Sequence, residues 1–193
     1  MLPTLLGLAL ILTRTSTFLI VLPVLGGQAV PIHIKATIAV LLSLFFCACK
    51  PLAVNPAEIS TPMAMVLLAG EAGYGVALGL IVALLFSVVQ LSACIAEQQM
   101  GLTMSEIVDP LSGEQTGALS SLMEMVFILV FLSANGHHLF LQIISRSYDA
   151  FPPGTVPTLS VLVEGVVSTS SAMFVASLRL AAPLLGAFLV LMV

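Results

Sequence analysis

Long apolar stretches restrict what this chain can fold into more than any other feature of its sequence. Five stretches are long enough to cross a bilayer as helices, for which about 20 apolar residues suffice. They lie at residues 4–24, 32–50, 63–95, 119–146 and 160–193. Because 60% of the 193 residues are hydrophobic and only 7% are charged, the chain cannot form the charged shell of a soluble domain. We therefore predict an all-α, membrane-protein-like fold.

Charged and helix-breaking residues interrupt three of these stretches. They are Arg14 in the first stretch, Asn135, Gly136 and His137 in the fourth, and Arg179 and Pro183 in the fifth. Such groups are costly at bilayer depth unless they face protein or a water-filled cavity. We therefore expect hydrophobic, kinked helices that are mostly surrounded by other protein. Arg14 in particular should be buried and hydrogen-bonded to a neighbouring helix or subunit.

Two glycines in the third stretch, Gly75 and Gly79, belong to the segment GYGVALG. This segment has neither the spacing nor the preceding strand of a dinucleotide-binding loop. A Gly-x-x-x-Gly pair in an apolar helix is typical of a face that packs closely on another helix, although such pairs also arise by chance. Both interpretations stay open from the residues alone.

No pattern in the sequence indicates a reaction, a metal site or a cofactor. His137 and His138 are adjacent, so their side chains on a helix point about 100° apart and do not readily share one ligand. Cys47 and Cys49 form a C-x-C pair without a His/Cys cluster, which favours small buried apolar residues. The net charge is −4 with five scattered basic residues, which excludes a nucleic-acid-binding patch.

The segment at residues 97–110, EQQMGLTMSEIVDP, differs from an ordinary solvent loop. Met100 and Met104 flank Gly101, with acidic residues around them, between two long apolar stretches. Taken alone, these residues favour an interhelical loop whose methionines pack on a neighbour.

Seven short pieces of the sequence together form a specific pattern, although each alone is weak. In chain order they are Arg14; Pro23, Gly26, Pro31 and Lys35 in LPVLGGQAVPIHIK; GEAGYGVALGL; Gln99, Met100 and Gly101; Asp109 and Pro110; Asn135, Gly136 and His137; and Leu178, Arg179 and Leu180 with Pro183. In their order and spacing the chain resembles the FliR family. These are inner-membrane proteins of the flagellar type III export gate, with relatives in virulence injectisomes.

The resemblance implies a non-enzymatic subunit of a protein-conducting pore, without a cofactor. Such a subunit joins FliP-type and FliQ-type subunits in a hetero-oligomeric helical assembly. It also meets further type III export proteins, membrane lipid and unfolded export substrates, but no nucleic acid. The expected location is the bacterial inner membrane, in the export apparatus of the flagellar basal body.

The resemblance also implies a division of the chain. Residues 1–158 would form a FliP-like helical portion that includes the segment at 97–110. Residues 159–193 would begin a FliQ-like helical hairpin. Family members continue beyond this point, so we expect the sequence to be truncated there.

For the segment at 97–110 the resemblance implies a plug that helps to close the channel at rest. The residues concerned are Gln99, Met100, Gly101, Met104, Asp109 and Pro110. Flexible methionine side chains suit a seal that must part around a substrate, and glycine permits a backbone break. The other family positions are expected to be buried polar groups or helix breaks, namely Arg14, Pro31, Lys35, Asn135, Gly136, His137, Arg179 and Pro183.

Three alternatives remain beside this function. The injectisome branch shares most of the same motifs, and Asn135, Gly136 and His137 are the main reason to prefer the flagellar branch. A small-solute or proton-coupled carrier would use Arg14, Glu97 and His137, but paired repeats with matching broken helices are not visible. A scaffold subunit without channel contact is the third.

Overall fold

Helices form all the regular structure in the described part of the chain, which confirms the all-α prediction. The computed structural model describes residues 2–23, 31–49, 60–101, 117–155 and 159–192. The helices are α1 (Leu2–Val21), α2 (Ile32–Cys49), α3 (Thr61–Gln99), α4 (Ala118–Ser133), α5 (Gly136–Ala150) and α6 (Leu159–Met192).

Three of these helices are long and apolar enough to cross a membrane: α2, α3 and the part Ser160–Pro183 of α6. The number rises to four if α4 and α5 together form one bent span. The 39 residues of α3 make it about 58 Å long at 1.5 Å per residue. This is nearly twice the roughly 30 Å of a bilayer's hydrocarbon core. Length and composition therefore support a membrane-class fold.

The two ends of α3 follow from local sequence. The carbonyl of Ser60 accepts the first helical bond, from the amide of Ala64 at 3.0 Å. Pro62 lies in the first turn, where a missing N–H costs nothing. At the other end Gly101 has φ +71°, the left-handed conformation that commonly terminates a helix and that glycine adopts without strain. Gly101 therefore stops α3 inside the segment at 97–110.

The fourth apolar stretch is divided into α4 and α5 at Asn135. This residue has φ 58°, and its amide donates to the carbonyl of Leu132 at 3.0 Å. Asparagine tolerates the left-handed region better than most residues, so the chain can end one helix there and start another at once. The neighbouring Gly136 lies against the ring of Phe131, where a Cβ would overlap the ring.

The chain forms two compact units. The first unit comprises residues 1–83 and 137–167, and the second comprises residues 84–136 and 168–193. In the first unit α1 packs on α2, and Phe18 meets Phe140 of α5 edge to face at 6.5 Å between ring centroids. In the second unit Phe86 of α3 packs against Phe127 and Phe131 of α4, at 5.1 and 5.2 Å. Aromatic clusters thus lie in the core of each unit.

Besides an apolar core, the described part of the chain has buried charges and many exposed apolar side chains. Arg14 and Glu71 are fully buried. Large apolar side chains instead lie exposed, on α2 (Val40, Leu41, Leu44, Phe45) and on α4 (Leu122, Met125, Val126, Leu129). Apolar surface of this extent needs lipid or another protein to cover it.

Candidate functional site

A buried ion pair forms the polar centre of the first unit. Arg14, in the middle of α1, donates from Nε to Glu71 Oε2 of α3 at 2.5 Å. Both side chains are 0% exposed. A charge removed from water in this way is tolerated only when it is paired and hydrogen-bonded. The contact therefore fixes α1 on α3.

The remaining guanidinium contacts extend to α5. Arg14 Nη1 donates to Ser147 Oγ at 2.9 Å and to the carbonyl of Phe151 at 3.0 Å. Its Cζ lies between two aromatic rings, 4.7 Å from the centroid of Tyr74 and 4.6 Å from that of Tyr148. Cation–π contacts of this kind stabilise the planar guanidinium in a site where water is excluded.

The carboxylate of Glu71 and the ring of Tyr148 complete the cluster. Glu71 Oε1 accepts the amide N–H of Gly154, in the turn after α5, at 2.9 Å. The Tyr148 hydroxyl is 3.0 Å from Thr15 Oγ1 and donates to the carbonyl of Ile11 at 3.1 Å. Three helices and one turn are therefore held by a single network. Because its polar groups bond to one another inside the unit, the network suits a role in helix packing better than ligand binding.

The two glycines Gly75 and Gly79 lie where α3 meets α1. A Cβ on Gly75 would overlap Thr17 Oγ1 and the carbonyl of Arg14, and one on Gly79 would lie 2.6 Å from Val21 Cβ. Small residues at this spacing let two helix backbones approach closely. That approach brings Arg14 within reach of Glu71.

A second buried carboxylate lies in the second unit, at the end of α3. Glu97 is 3% exposed. Its Oε1 accepts the amide N–H of Ser120 at 3.1 Å, and its Oε2 accepts the Ser120 hydroxyl at 2.6 Å. Ser120 is in the first turn of α4, where backbone N–H groups have no partner within the helix. A negative charge is also favourable there, by roughly 0.3–1 kcal/mol and more when partly buried.

The structure covers the first part of the expected plug. Gln99 is the last residue of α3, and Met100 and Gly101 follow it, all three exposed. Met104, Asp109 and Pro110 lie outside the described residues. Their role as a plug stays a prediction.

The other positions expected to be polar or helix-breaking have different surroundings. Pro31 is exposed just before α2, and its carbonyl accepts the amides of Ile34 and Lys35 at 3.0 and 3.3 Å. Lys35 is half-buried on α2. Exposed side chains are those of Asn135, His137, Arg179 and Pro183. Pro183 lies inside α6. Of the set expected to be buried polar groups, only Arg14 is fully buried with a network around it.

Several residues of the two carboxylate sites were not singled out from the sequence. They are Glu71, Tyr74, Ser147, Tyr148, Gly117 and Ser120. A signal did exist for Glu71, the single acidic residue of the apolar stretch at 63–95. One buried cation in one apolar helix requires one anion in another, so Arg14 and Glu71 are natural partners. Within the described residues no group of three or more His, Cys, Asp or Glu is arranged to hold a metal ion.

Comparison with known proteins settles the family. The sequence model of the family described as "Bacterial export proteins, family 1" matches residues 5–193. The chain belongs to this family. The flagellar biosynthetic protein FliR of Escherichia coli (strain K12) is 28% identical over 180 residues, which cover 93% of this chain and 68% of that protein. FliR of Bacillus subtilis (strain 168) is 27% identical over 184 residues, covering 92% and 69%.

The family also contains a relative whose name is not flagellar. The surface presentation of antigens protein SpaR of Salmonella typhimurium is 31% identical over 104 residues, which cover 53% of this chain and 40% of SpaR. The assignment to the FliR family is thus confirmed, and an export protein is favoured over a solute carrier. The chain spans about two thirds of the length of the two FliR proteins.

Proposed function

We propose that this chain is a non-enzymatic subunit of the type III protein export gate that serves the flagellum. The observation that carries the proposal is the family match, which runs over residues 5–193. The FliR proteins of Escherichia coli and Bacillus subtilis align with more than nine tenths of the chain, whereas SpaR aligns with 53%. The flagellar branch is therefore preferred to the injectisome branch.

The buried charges support a structural role rather than transport of a small solute. Arg14 is held by Glu71, and Glu97 is held by Ser120. A carrier needs such groups to be accessible to its substrate along a path through the protein. Here two of the three ionisable residues that a carrier would use form buried contacts within the chain. We accordingly propose no reaction and no cofactor.

The exposed apolar faces support assembly with other subunits. The family resemblance suggests FliP-type and FliQ-type chains as neighbours, in the bacterial inner membrane at the flagellar basal body. Residues 1–158 would occupy a FliP-like place and residues 159–193 a FliQ-like one. In keeping with this, α6 exposes apolar side chains along its length, among them Val163, Val167, Phe174 and Leu178. Faces of this kind pack on neighbouring helices or lipid.

We further propose that residues 97–110 enter the channel and help to close it at rest. Support comes from the position in which α3 ends: Met100 is exposed beyond the last helical turn, and Gly101 breaks the helix. An apolar constriction can exclude ions by dewetting, without a tight lid. Methionine side chains adapt to irregular gaps, as a seal that opens around unfolded polypeptides requires.

The test of subunit function is the composition of the assembled complex. We expect the tagged chain, produced with FliP-type and FliQ-type subunits, to be purified as one copy in a hetero-oligomer, as measured by native mass spectrometry. A variant without residues 159–193 should keep the FliP-type subunits and lose FliQ-type subunits. Purification of the chain as a monomer or homo-oligomer would contradict the proposal. Undiminished FliQ binding by the shortened variant would contradict only the role of α6.

A further inference from the structure

A groove opens between α1 and α2 on the surface of the first unit. Its volume is about 300 Å³, and it is lined among others by Ser16 and Ile20 of α1 and by Ile32, Lys35 and Ala36 of α2. We call it the α1–α2 groove. Ser16 and Ala36 are small, so they leave space between the helices. Ile20 and Ile32 are strongly exposed, so the groove is open to the outside of the unit.

The α1–α2 groove combines an apolar wall with one positive charge. The Ser16 hydroxyl donates to the carbonyl of Thr13 in its own helix at 3.1 Å. Among the described residues that line the groove, Lys35 is the only charged one, and it is half-buried. Lys35 also interacts elsewhere within the chain, but an ammonium group has three donors and can bind a further acceptor. A ligand that fits the groove therefore has an apolar part and an anionic group.

Lys35 lies at the end of α2, where a lipid headgroup would be met. It is the fourth residue of α2, in the first turn. The 18 residues of α2 make it about 27 Å long, close to the roughly 30 Å of a bilayer's hydrocarbon core. When a helix of this length and composition crosses a bilayer, its first turn lies at the boundary between the acyl chains and the phosphates. Basic groups at this depth attract anionic lipids.

The size of the groove favours an acyl chain over a helix of another subunit. A volume of about 300 Å³ is near the lower limit of pockets that hold small ligands, and a helix is about 10 Å across. The apolar surface also continues beyond the groove. Ala36, Val40 and Leu44 are four residues apart along α2, so they lie on one side of the helix, and all three are exposed. An acyl chain can follow this side away from Lys35.

We propose that the α1–α2 groove binds one acyl chain of an anionic phospholipid, whose phosphate group pairs with the ammonium group of Lys35. The proposal goes beyond the function in export and does not depend on it, because it requires only a membrane and the first unit.

Photolabelling of the full chain tests the proposal. The chain is purified with the subunits that accompany it and placed in phosphatidylcholine vesicles. These vesicles contain a trace of photoreactive phosphatidylglycerol or of photoreactive phosphatidylcholine with the same acyl chains. Mass spectrometry then identifies the labelled peptides. We expect the anionic probe to label the peptides of the α1–α2 groove about five-fold more than the zwitterionic probe, as one lysine near a membrane surface would produce.

Three variants separate the charge from the groove. Lys35→Gln should abolish the preference for the anionic probe, whereas Lys35→Arg should keep it. Ala36→Leu fills the groove from an exposed position, and labelling by both probes should fall about ten-fold, as for the loss of about two buried methylenes. Arg146→Gln is the matched control, because it removes one positive charge from an exposed position of α5 outside the groove. It should label like the parent.

Salt gives a second measurement that needs no variant. About 1 M salt should weaken the preference in the parent chain, because it screens the lysine charge. Equal labelling by the two probes, or a preference that survives both Lys35→Gln and high salt, would overturn the role of Lys35. Labelling that Ala36→Leu leaves unchanged would overturn the groove as the site of the acyl chain. Absence of label from the groove would show that a side chain of a neighbouring subunit fills it, and the proposal would be wrong.

Discussion

Arg14 shows how a single charged residue can hold an apolar protein together. Its guanidinium has an ionic partner in Glu71, three further oxygen acceptors and two aromatic faces, and all of them are inside the first unit. Breaking a buried pair by removing one partner typically costs about 3–5 kcal/mol, because the other charge stays buried without its counterpart. Removing both partners costs less, since no charge is left behind.

We therefore predict a strong coupling between Arg14→Leu and Glu71→Leu. Each single variant should lower the stability of the assembled complex by about 3–5 kcal/mol, and the double variant should lose clearly less than the sum. Thermal unfolding of the purified complex is the measurement. Arg14→Lys is the matched control: it keeps the charge but loses the planar contacts with Tyr74 and Tyr148. Its loss of stability should therefore be smaller than that of Arg14→Leu. Losses that simply add would show that the pair is not coupled.

Sequence reasoning predicted one side of each polar site and missed the other. A cation in the middle of an apolar helix predicts its own burial, as found for Arg14. Its partner is 57 residues away along the chain, and no local pattern links them. A carrier would use Glu97 to bind its substrate, whereas in the structure Glu97 accepts hydrogen bonds from Ser120, 23 residues further on. Such contacts depend on how helices pack, which a single sequence does not reveal.

At the scale of helices, glycine spacing controls the approach of α3 to α1. Along α3, Gly79 lies against Val21, whereas Gly73 has no atom of another residue within 4 Å of an added Cβ. Two glycines of the same helix therefore differ only in what faces them. This difference separates the effect of close packing from the intrinsic helix propensity of alanine.

We predict opposite effects for alanine at these two positions. Gly79→Ala should destabilise the complex by about 1–3 kcal/mol, because the new methyl group overlaps the Val21 side chain and must displace it. Gly73→Ala should be neutral or stabilising by up to about 1 kcal/mol, because alanine favours helix and meets open space. Thermal unfolding of the two variants side by side decides this. Equal effects would mean that α3 does not pack on α1 at Gly79.

Most helices could be located from hydrophobicity, and their breaks only in part. The stretches at 4–24 and 32–50 correspond to α1 and α2, and 160–193 corresponds to α6. The stretch at 119–146 proved to be two helices, because Asn135 takes a left-handed conformation. The sequence indicated a break there, but its position depends on one backbone angle. The extension of α3 to Gln99, beyond the apolar stretch, depends on the burial of Glu97 and on Gly101.

At the scale of the whole molecule, the polarity is arranged for an assembly. Arg14 and Glu71 are paired inside the first unit, Glu97 is buried and hydrogen-bonded inside the second, and apolar side chains remain exposed on α2, α4 and α6. Lipid can cover such faces, and so can neighbouring subunits. The family assignment favours subunits of an export gate for at least part of this surface.

The last prediction concerns the closed channel of that complex. Deleting residues 101–105 removes Gly101 and Met104 but leaves Glu71 and Glu97 with their hydrogen-bond partners, so assembly should be unaffected. Membranes that carry the variant complex should conduct ions or small molecules that the parent excludes. The reason is that the apolar constriction, which keeps water out of the closed channel, is removed. Met100→Ala combined with Met104→Ala should leak less than the deletion, since neighbouring side chains partly refill the gap. Conductance of reconstituted complexes is the measurement, with Ser121→Ala, an exposed residue of α4 outside the segment at 97–110, as the control. A deletion variant that assembles and stays as tight as the parent would show that another subunit makes the seal.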